Sequence, residues 1–238
     1  MENIENFTDD RHKLWCIHCS SPISGLQTNR DHVPTKGLLD RPMPPHVPQV
    51  EICKECNTGF SLDEEYLVTF LSCVQSGTTE PSAQRNPKIE RALVRNPSLV
   101  ARLEAAKQFQ IDGTGEQQII WQPEIDRIHR VILKNARGHA FYEYGEPMLD
   151  DPISISAIPL ISMDHDQRND FEEAGGPFTG WPEVGSRMMT RVMTGQDLDD
   201  DGWINVQDNI YRYIVFQQGL LTVRSVIHNY LATEVIWE

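Results

Sequence analysis

Two C-x-x-C pairs, Cys16-Ile17-His18-Cys19 and Cys53-Lys54-Glu55-Cys56, hold four of the five cysteines in this chain of 238 residues. Each pair suits two thiolates on one side of a tetrahedral zinc ion, so together they predict a structural zinc site. No thioredoxin-like βαβ pattern surrounds either pair, which sets a redox dithiol aside. An odd cysteine count with this pairing fits a reducing compartment better than a disulfide framework. Cys73, the remaining cysteine, lies in an apolar helical run and reads as an inert buried thiol.

Zinc alone implies a ribbon, and ribbons serve binding modules as well as enzymes. The residues around the cysteines are more specific. Between the pairs lies Asn29-Arg30-Asp31-His32-Val33-Pro34-Thr35-Lys36-Gly37-Leu38-Leu39, and Asn57 follows the last cysteine directly. In order and spacing this resembles the HNH (ββα-metal, His-Me finger) endonuclease family, in its cysteine-containing, zinc-stabilised branch of bacterial or phage type. The resemblance implies a β-hairpin whose first strand ends near Asp31 and His32, then a helix starting close to Asn57. It implies that His32 is the general base that takes a proton from water, a role suited to an imidazole titrating near neutral pH. It further implies that Asp31 and Asn57 hold a catalytic Mg²⁺ or Mn²⁺ that neutralises charge on the phosphorane and leaving oxygen.

One position departs from the family pattern. The family's middle Asn, which supports the loop carrying the catalytic His, falls where this chain has His46-Val47-Pro48-Gln49-Val50. Gln49 or His46 stands in its place as a supporting residue. The segment Asn57-Thr58-Gly59-Phe60-Ser61-Leu62-Asp63-Glu64-Glu65-Tyr66 also looks like uncharacterised bacterial HNH proteins, with Asp63 and Glu64 reading as helix N-terminal charges.

These residues need elements to position them. Residues 1 to about 58 are rich in Cys, His, Pro and turn formers, as expected of a module held by metal rather than by a large core. A helix capped at Ser61 follows, with Leu62, Tyr66, Leu67, Phe70, Leu71 and Val74 at helical spacing. The polar break at 76–82 marks a boundary between an HNH nuclease module, 1–76, and an α+β domain, 77–238, for substrate selection or partner docking. In the second domain, Pro87 to Phe109 reads as two helices broken at Asn96-Pro97. A turn at 112–115, a strand over 117–122 and a helix from Pro123 to Arg137 capped by Gly138 come next. Strands are expected at 140–144, 153–158, 211–216, 220–227 and 233–237, forming an antiparallel sheet with one wet face. The stretch 166–185 reads as a long loop. The fold class is therefore α+β.

A formal net charge of −14 argues against a chain that grips nucleic acid unaided, since phosphate affinity comes mainly from Lys and Arg. A local basic face, a divalent metal or a partner protein such as an ATPase or sensor would meet that objection. No recognition helix with a basic face stands out. The acidic start lacks a signal-peptide pattern and no apolar run approaches membrane-spanning length, so a cytoplasmic protein with no membrane partner is expected.

The leading expectation is a metal-dependent endonuclease, acting on DNA ahead of RNA, in a bacterial defence or mobile-element system. The alternative is a non-catalytic zinc-ribbon interaction protein. A third reading comes from Asp197-Leu198-Asp199-Asp200-Asp201-Gly202-Trp203-Ile204-Asn205-Val206-Gln207-Asp208, which matches much of an EF-hand calcium loop. Its twelfth residue is the short Asp208 and a strand pattern follows, so a solvated acidic turn is the better reading.

Overall fold

A computed structural model describes residues 1–111, 113, 115, 117–173 and 182–238. In chain order the regular elements are β1 (Thr28–His32), β2 (Gln49–Cys53), α1 (Lys54–Ser76), α2 (Pro87–Arg95), α3 (Pro97–Ala105), β3 (Lys107–Ile111), β4 (Gln117–Trp121), α4 (Ile125–Tyr144), β5 (Ser154–Pro159), α5 (His165–Glu173), α6 (Arg187–Thr194), β6 (Ile204–Gln207), β7 (Tyr211–Gln218), β8 (Leu220–Ile227) and β9 (Leu231–Trp237). The class is α+β with antiparallel sheets. Two compact units emerge, one made of Met1–Gly59 with Ile132–Glu238, the other of Phe60–Val131. The break at 76–82 thus falls inside the second unit, and the hairpin of the cysteine region shares a unit with the C-terminal sheet.

In the first unit, β1 and β2 pair antiparallel with Asp31 opposite Val50 and His32 opposite Gln49. Val50 and Ile52 point inward while Gln49 and Glu51 remain exposed, the period-two pattern of a half-buried strand. Val33, Val50, Ile52, Ile17 and Tyr142 pack together beside Cys16 and Cys53. The second sheet has the order β5-β9-β8-β7-β6. On one of its faces, His139 of α4 stacks on Tyr213, with ring centroids 3.7 Å apart. On the other, Phe171 of α5 joins Trp203, Ile214, Phe216, Val226 and Ala232.

The second face, expected to be wet, is therefore covered in part, while Ser154 and Ile158 of β5 on that face stay exposed. The cover comes from α5, in a stretch read as loop; Arg224 fastens it by donating to the carbonyls of Asp170 and Phe171, and Arg212 pairs with Glu172. Gly175 and Gly176 lie outside the described residues, as do Asp112 and Thr114 of the expected turn.

Several element boundaries differ from expectation. Residues 107–109, expected to end the second of two helices, instead begin β3, because α3 stops at Ala105 and Lys107–Ile111 pair with Gln117–Trp121. Helix α1 starts at Lys54, not Ser61, because the Cys56 N–H donates to Cys53 Sγ at 3.4 Å and the thiol takes the place of a capping side chain. Helix α4 runs straight through Gly138, which is no cap. An added Cβ at Gly138 would lie 2.5 Å from Val33 Cγ2, so glycine is there for close approach. Residues 140–144, expected as a strand, continue this helix and bury Ala140, Tyr142, Glu143 and Tyr144. Burial overrides the strand preference of the aromatic residues.

The second unit is built from α1 beyond Phe60, α2, α3, the β3–β4 hairpin and the start of α4. Asn96 ends α2 and caps α3, its side chain accepting from the Leu99 N–H, so the expected break is found. Ile89, Leu93, Leu99, Leu103, Leu67 and Leu71 are buried here. Asp63 lies inside α1, buried, and accepts from Arg127 and Arg130. It serves as an ion-pair anchor rather than as a first-turn charge.

Gly138→Ala should lower stability despite alanine's helix preference. The propensity gain is about 1 kcal/mol, while forcing a methyl into a packed contact costs about 1–3 kcal/mol. Urea unfolding is expected to show a net loss, relieved by the double change Gly138→Ala with Val33→Ala.

Candidate metal centre and the hairpin site

The four paired cysteines converge. The sulfurs of Cys16, Cys19, Cys53 and Cys56 all lie within 4.8 Å of one another, and Cys19 Sγ is 3.8 Å from Cys53 Sγ. A zinc ion with bonds of about 2.3 Å to four sulfurs implies tetrahedral edges of about 3.8 Å. The donor set and its spacing therefore fit one tetrathiolate zinc.

Each pair is shaped by its local backbone. Around Cys16 the chain doubles back, with Cys16 N–H donating to Ser21 O and Ser20 N–H to Cys16 O, while Ser20 adopts a positive φ of 58°. Arg137 of α4 donates to the His18 carbonyl at 3.2 Å and ties this turn to the helix. Cys53 closes β2 and Cys56 sits in the first turn of α1. Burial pushes the Cys53 and Cys56 thiols up, and neighbouring sulfurs raise Cys56 further. At Cys19 burial also acts upward, but hydrogen bonds from Ser21 hold the thiol down at about 7. A cation is what would let such thiols ionise together. Cys73 is buried and separate from the cluster; burial foremost raises its thiol to about 11, as expected of an inert sulfur.

Beside this centre, β1 delivers Asp31 and His32 to the end of the hairpin. His32 is partly exposed, and its Nε2 lies 3.0 Å from the Gln49 side-chain nitrogen across the strand pair. Burial first, then the charges of Lys36 and Lys134, lower its pKa. The shift favours the neutral imidazole, the state a base needs. His46, the other supporting candidate, is exposed and makes no hydrogen bond to a described residue. Asn57 occupies the first turn of α1, partly buried.

Asp31 is only 8% exposed, and its partner is Lys134 of α4, 2% exposed. The Lys134 ammonium lies 2.8 Å from Oδ2 and 3.0 Å from Oδ1. It also reaches the Thr35 hydroxyl at 3.3 Å. The neighbouring Asn135 accepts from both the N–H and the hydroxyl of Thr35, each at 3.1 Å. The segment leaving His32 is therefore held by an asparagine a hundred residues away in sequence. Neither Lys134 nor Asn135 was singled out from sequence. Their only signal was polar residues on the flank of an apolar helical stripe, which ordinarily marks a solvated face.

In the acidic loop at 197–208, Asp197, Asp199 and Asp208 spend their carboxylates on their own chain, while Asp200 and Asp201 are exposed. Asp197 accepts from Arg191 and from the Glu2 N–H, while Asp199 accepts from the N–H groups of Asp201 and Trp203. The strand β6 follows at Ile204. Among the described residues, the four cysteines form the one cluster of three or more metal-ligating His, Cys, Asp or Glu side chains. No helix among them is long and apolar enough to cross a membrane.

No family model, no curated protein and no solved structure matches this chain.

Two outcomes follow. The purified protein should carry one zinc per chain by elemental analysis, lost in Cys16→Ser or Cys53→Ser and kept in Cys73→Ser; chelation should unfold the cysteine region, because metal-binding free energy is folding free energy here. Lys134→Met should cost about 3–5 kcal/mol in thermal or urea unfolding, since it leaves a buried carboxylate without its countercharge. If Asp31 also holds a divalent cation, added Mg²⁺ should restore part of that loss, and an unaltered curve would assign Asp31 to structure alone.

Proposed function

We propose that this chain is a metal-dependent HNH-type endonuclease that hydrolyses phosphodiester bonds, in DNA ahead of RNA. The observation that carries the reading is the juxtaposition of His32 with buried Asp31 at the end of a two-stranded hairpin, framed by four converging thiols and followed at once by a helix bearing Asn57 in its first turn. That arrangement matches the order of parts the family resemblance implies.

In this reading zinc is structural and fixes the hairpin against the helix start. His32 takes the proton from the attacking water. With the Gln49 amide turned so that its oxygen accepts from His32 Nε2–H, the ring is oriented and Nδ1 is left as the base; the same contact fills the supporting role of the family's middle Asn. Asn135 and Thr35 hold the following loop, so the imidazole is presented on a fixed backbone. The donors at Asp31 and Asn57 suit a magnesium-type ion, which uses a carboxylate or two with water and phosphate completing its shell, and such an ion would supply charge neutralisation at the phosphate. Asp31 would then be shared between that ion and Lys134.

The Lys134 contact also favours a second reading, a zinc-ribbon interaction protein in which Asp31 is a purely structural anion already neutralised from within. Activity separates the two. Zinc-loaded protein with Mg²⁺ or Mn²⁺ should nick supercoiled plasmid. His32→Ala should lower the rate by about 10²–10⁴-fold, the usual contribution of a general base, and Gln49→Leu by about tenfold or more, as for loss of an orienting partner. Absence of cleavage from folded wild-type protein under all divalent ions, on both plasmid and single strands, would favour the interaction protein. The proposed setting is a bacterial defence or mobile-element system with a partner such as an ATPase or sensor, for which an operon neighbour is the direct test.

A further inference from the structure

The chain is strongly acidic, yet residues 85–102 hold five basic side chains, Arg85, Lys88, Arg91, Arg95 and Arg102, against the single acid Glu90. Three of them, Lys88, Arg91 and Arg95, fall at helical positions i, i+3 and i+7 and so share one face of α2. All three are exposed, and none forms an ion pair with a described residue. They line a depression of about 250 Å³ with Ala92, Asn96 and Glu65. A second depression shares Glu65 and Asn96 and adds Ser98, Arg102 and Arg127. There the cations are tempered by Glu124, which pairs with both Arg102 and Arg127.

The contrast matters. Elsewhere in the second unit arginine is spent on structure: Arg127 and Arg130 neutralise Asp63, and Arg127 lies over the Tyr66 ring. Helix α2 buries Ile89 and Leu93 on one side and leaves its cationic side to water, where Arg91 Nε donates to the Pro87 carbonyl of the same helix at 3.0 Å and no described carboxylate pairs with the three cations. Seven residues of helix rise about 10 Å, which matches about three successive nucleotides at about 3.4 Å each along a duplex strand. Asn96 and Ser98, at the start of α3, put polar side chains beside the last cation.

We infer that the Lys88-Arg91-Arg95 face of α2 is the surface on which the second unit binds the phosphodiester backbone of duplex DNA. The inference rests on the proposed nuclease reading and supplies what an acidic nuclease lacks, a local basic face. The acidity of the remaining surface confines the anion to this stripe. Contacts of this kind are made to phosphates rather than base edges, so they position substrate without selecting sequence.

The test is fluorescence anisotropy of zinc-loaded, full-length His32→Ala protein with a short fluorescein-labelled DNA duplex over a range of salt, with and without K88Q/R91Q/R95Q. All three positions are exposed, and a thermal melt of the variant should match its parent. The variant is expected to bind about tenfold or more weakly, and the slope of log affinity against log salt should fall by about 3, one phosphate contact per cation removed. A matched loss of three charges elsewhere, R11Q/K13Q/R168Q, should leave both nearly unaltered. An unaltered affinity and slope in the α2 variant, an equal loss in the matched control, absence of duplex binding by the parent at low salt, or equal competition by a polyglutamate peptide would each overturn the assignment. Failure of the nuclease reading is separable: lost binding in the α2 variant beside a wild-type protein that never cleaves would keep this surface and reject the enzyme, whereas full plasmid cleavage at unaltered KM by K88Q/R91Q/R95Q made in the protein that retains His32 would keep the enzyme and reject the surface.

Discussion

The second half of α4 is buried from all sides, and that constraint organises the first unit. From Lys134 to Tyr144 it carries Lys134, Asn135, Arg137, His139 and Glu143, polar or charged groups that water cannot reach. Burying each without a partner would cost several kcal/mol, so every turn of the helix must meet a complementary group. Toward the cysteine hairpin it offers Lys134 to Asp31, Asn135 to Thr35 and Arg137 to the carbonyl of His18. Toward the sheet it offers Glu143 to Arg191 and Tyr213, and His139 to Tyr211.

Such pairing specifies geometry more than it adds stability. The Glu143–Arg191 pair is fully buried on both sides, and Asp197 supplies a second anion to the same guanidinium. Desolvation of paired ions largely cancels their attraction, while removal of one partner leaves a stranded charge. The network therefore penalises every register of the helix but one. Gly138 adds a steric condition of the same kind, since α4 approaches Val33 more closely than a side chain would allow. Val33 follows His32 directly, so the position of the imidazole is fixed by packing as well as by the strand pair.

In the proposed reading, zinc on the four-cysteine cluster and the helix divide the work of holding the hairpin. Four thiols fasten the ends of the module, where apolar residues are few, and Ile17, Val33, Val50, Ile52 and Tyr142 form a small core beneath. A core of that size gives little stability alone. The strand pair and α4 hold Asp31 and His32 in place, and a metal on the four thiols would add to that hold whether the module cuts or only binds.

The cysteine spacing by itself pointed to the four-thiol cluster, because cysteine pairs separated by two residues are local objects whose geometry barely depends on the rest of the chain. The sequence likewise determined the α2–α3 break, where Asn96-Pro97 ends one helix and caps the next, and four of the five strands of the larger sheet, whose β-branched runs are local propensities; β6 lay inside the stretch read as an acidic turn. Tertiary structure decided what depended on distant partners. Residues 140–144 have strand-forming side chains yet stay helical, because burial between two layers outweighs propensity. Lys134 and Asn135 look like solvated helix residues until the hairpin, a hundred positions earlier, is laid against them. The basic spacing of Lys88, Arg91 and Arg95 was present in the sequence, but charge spacing does not say which cations are already paired. Only the folded unit separates arginines spent on Asp63 and Glu124 from those left facing water, since an ion pair is a contact in space and sequence records only order.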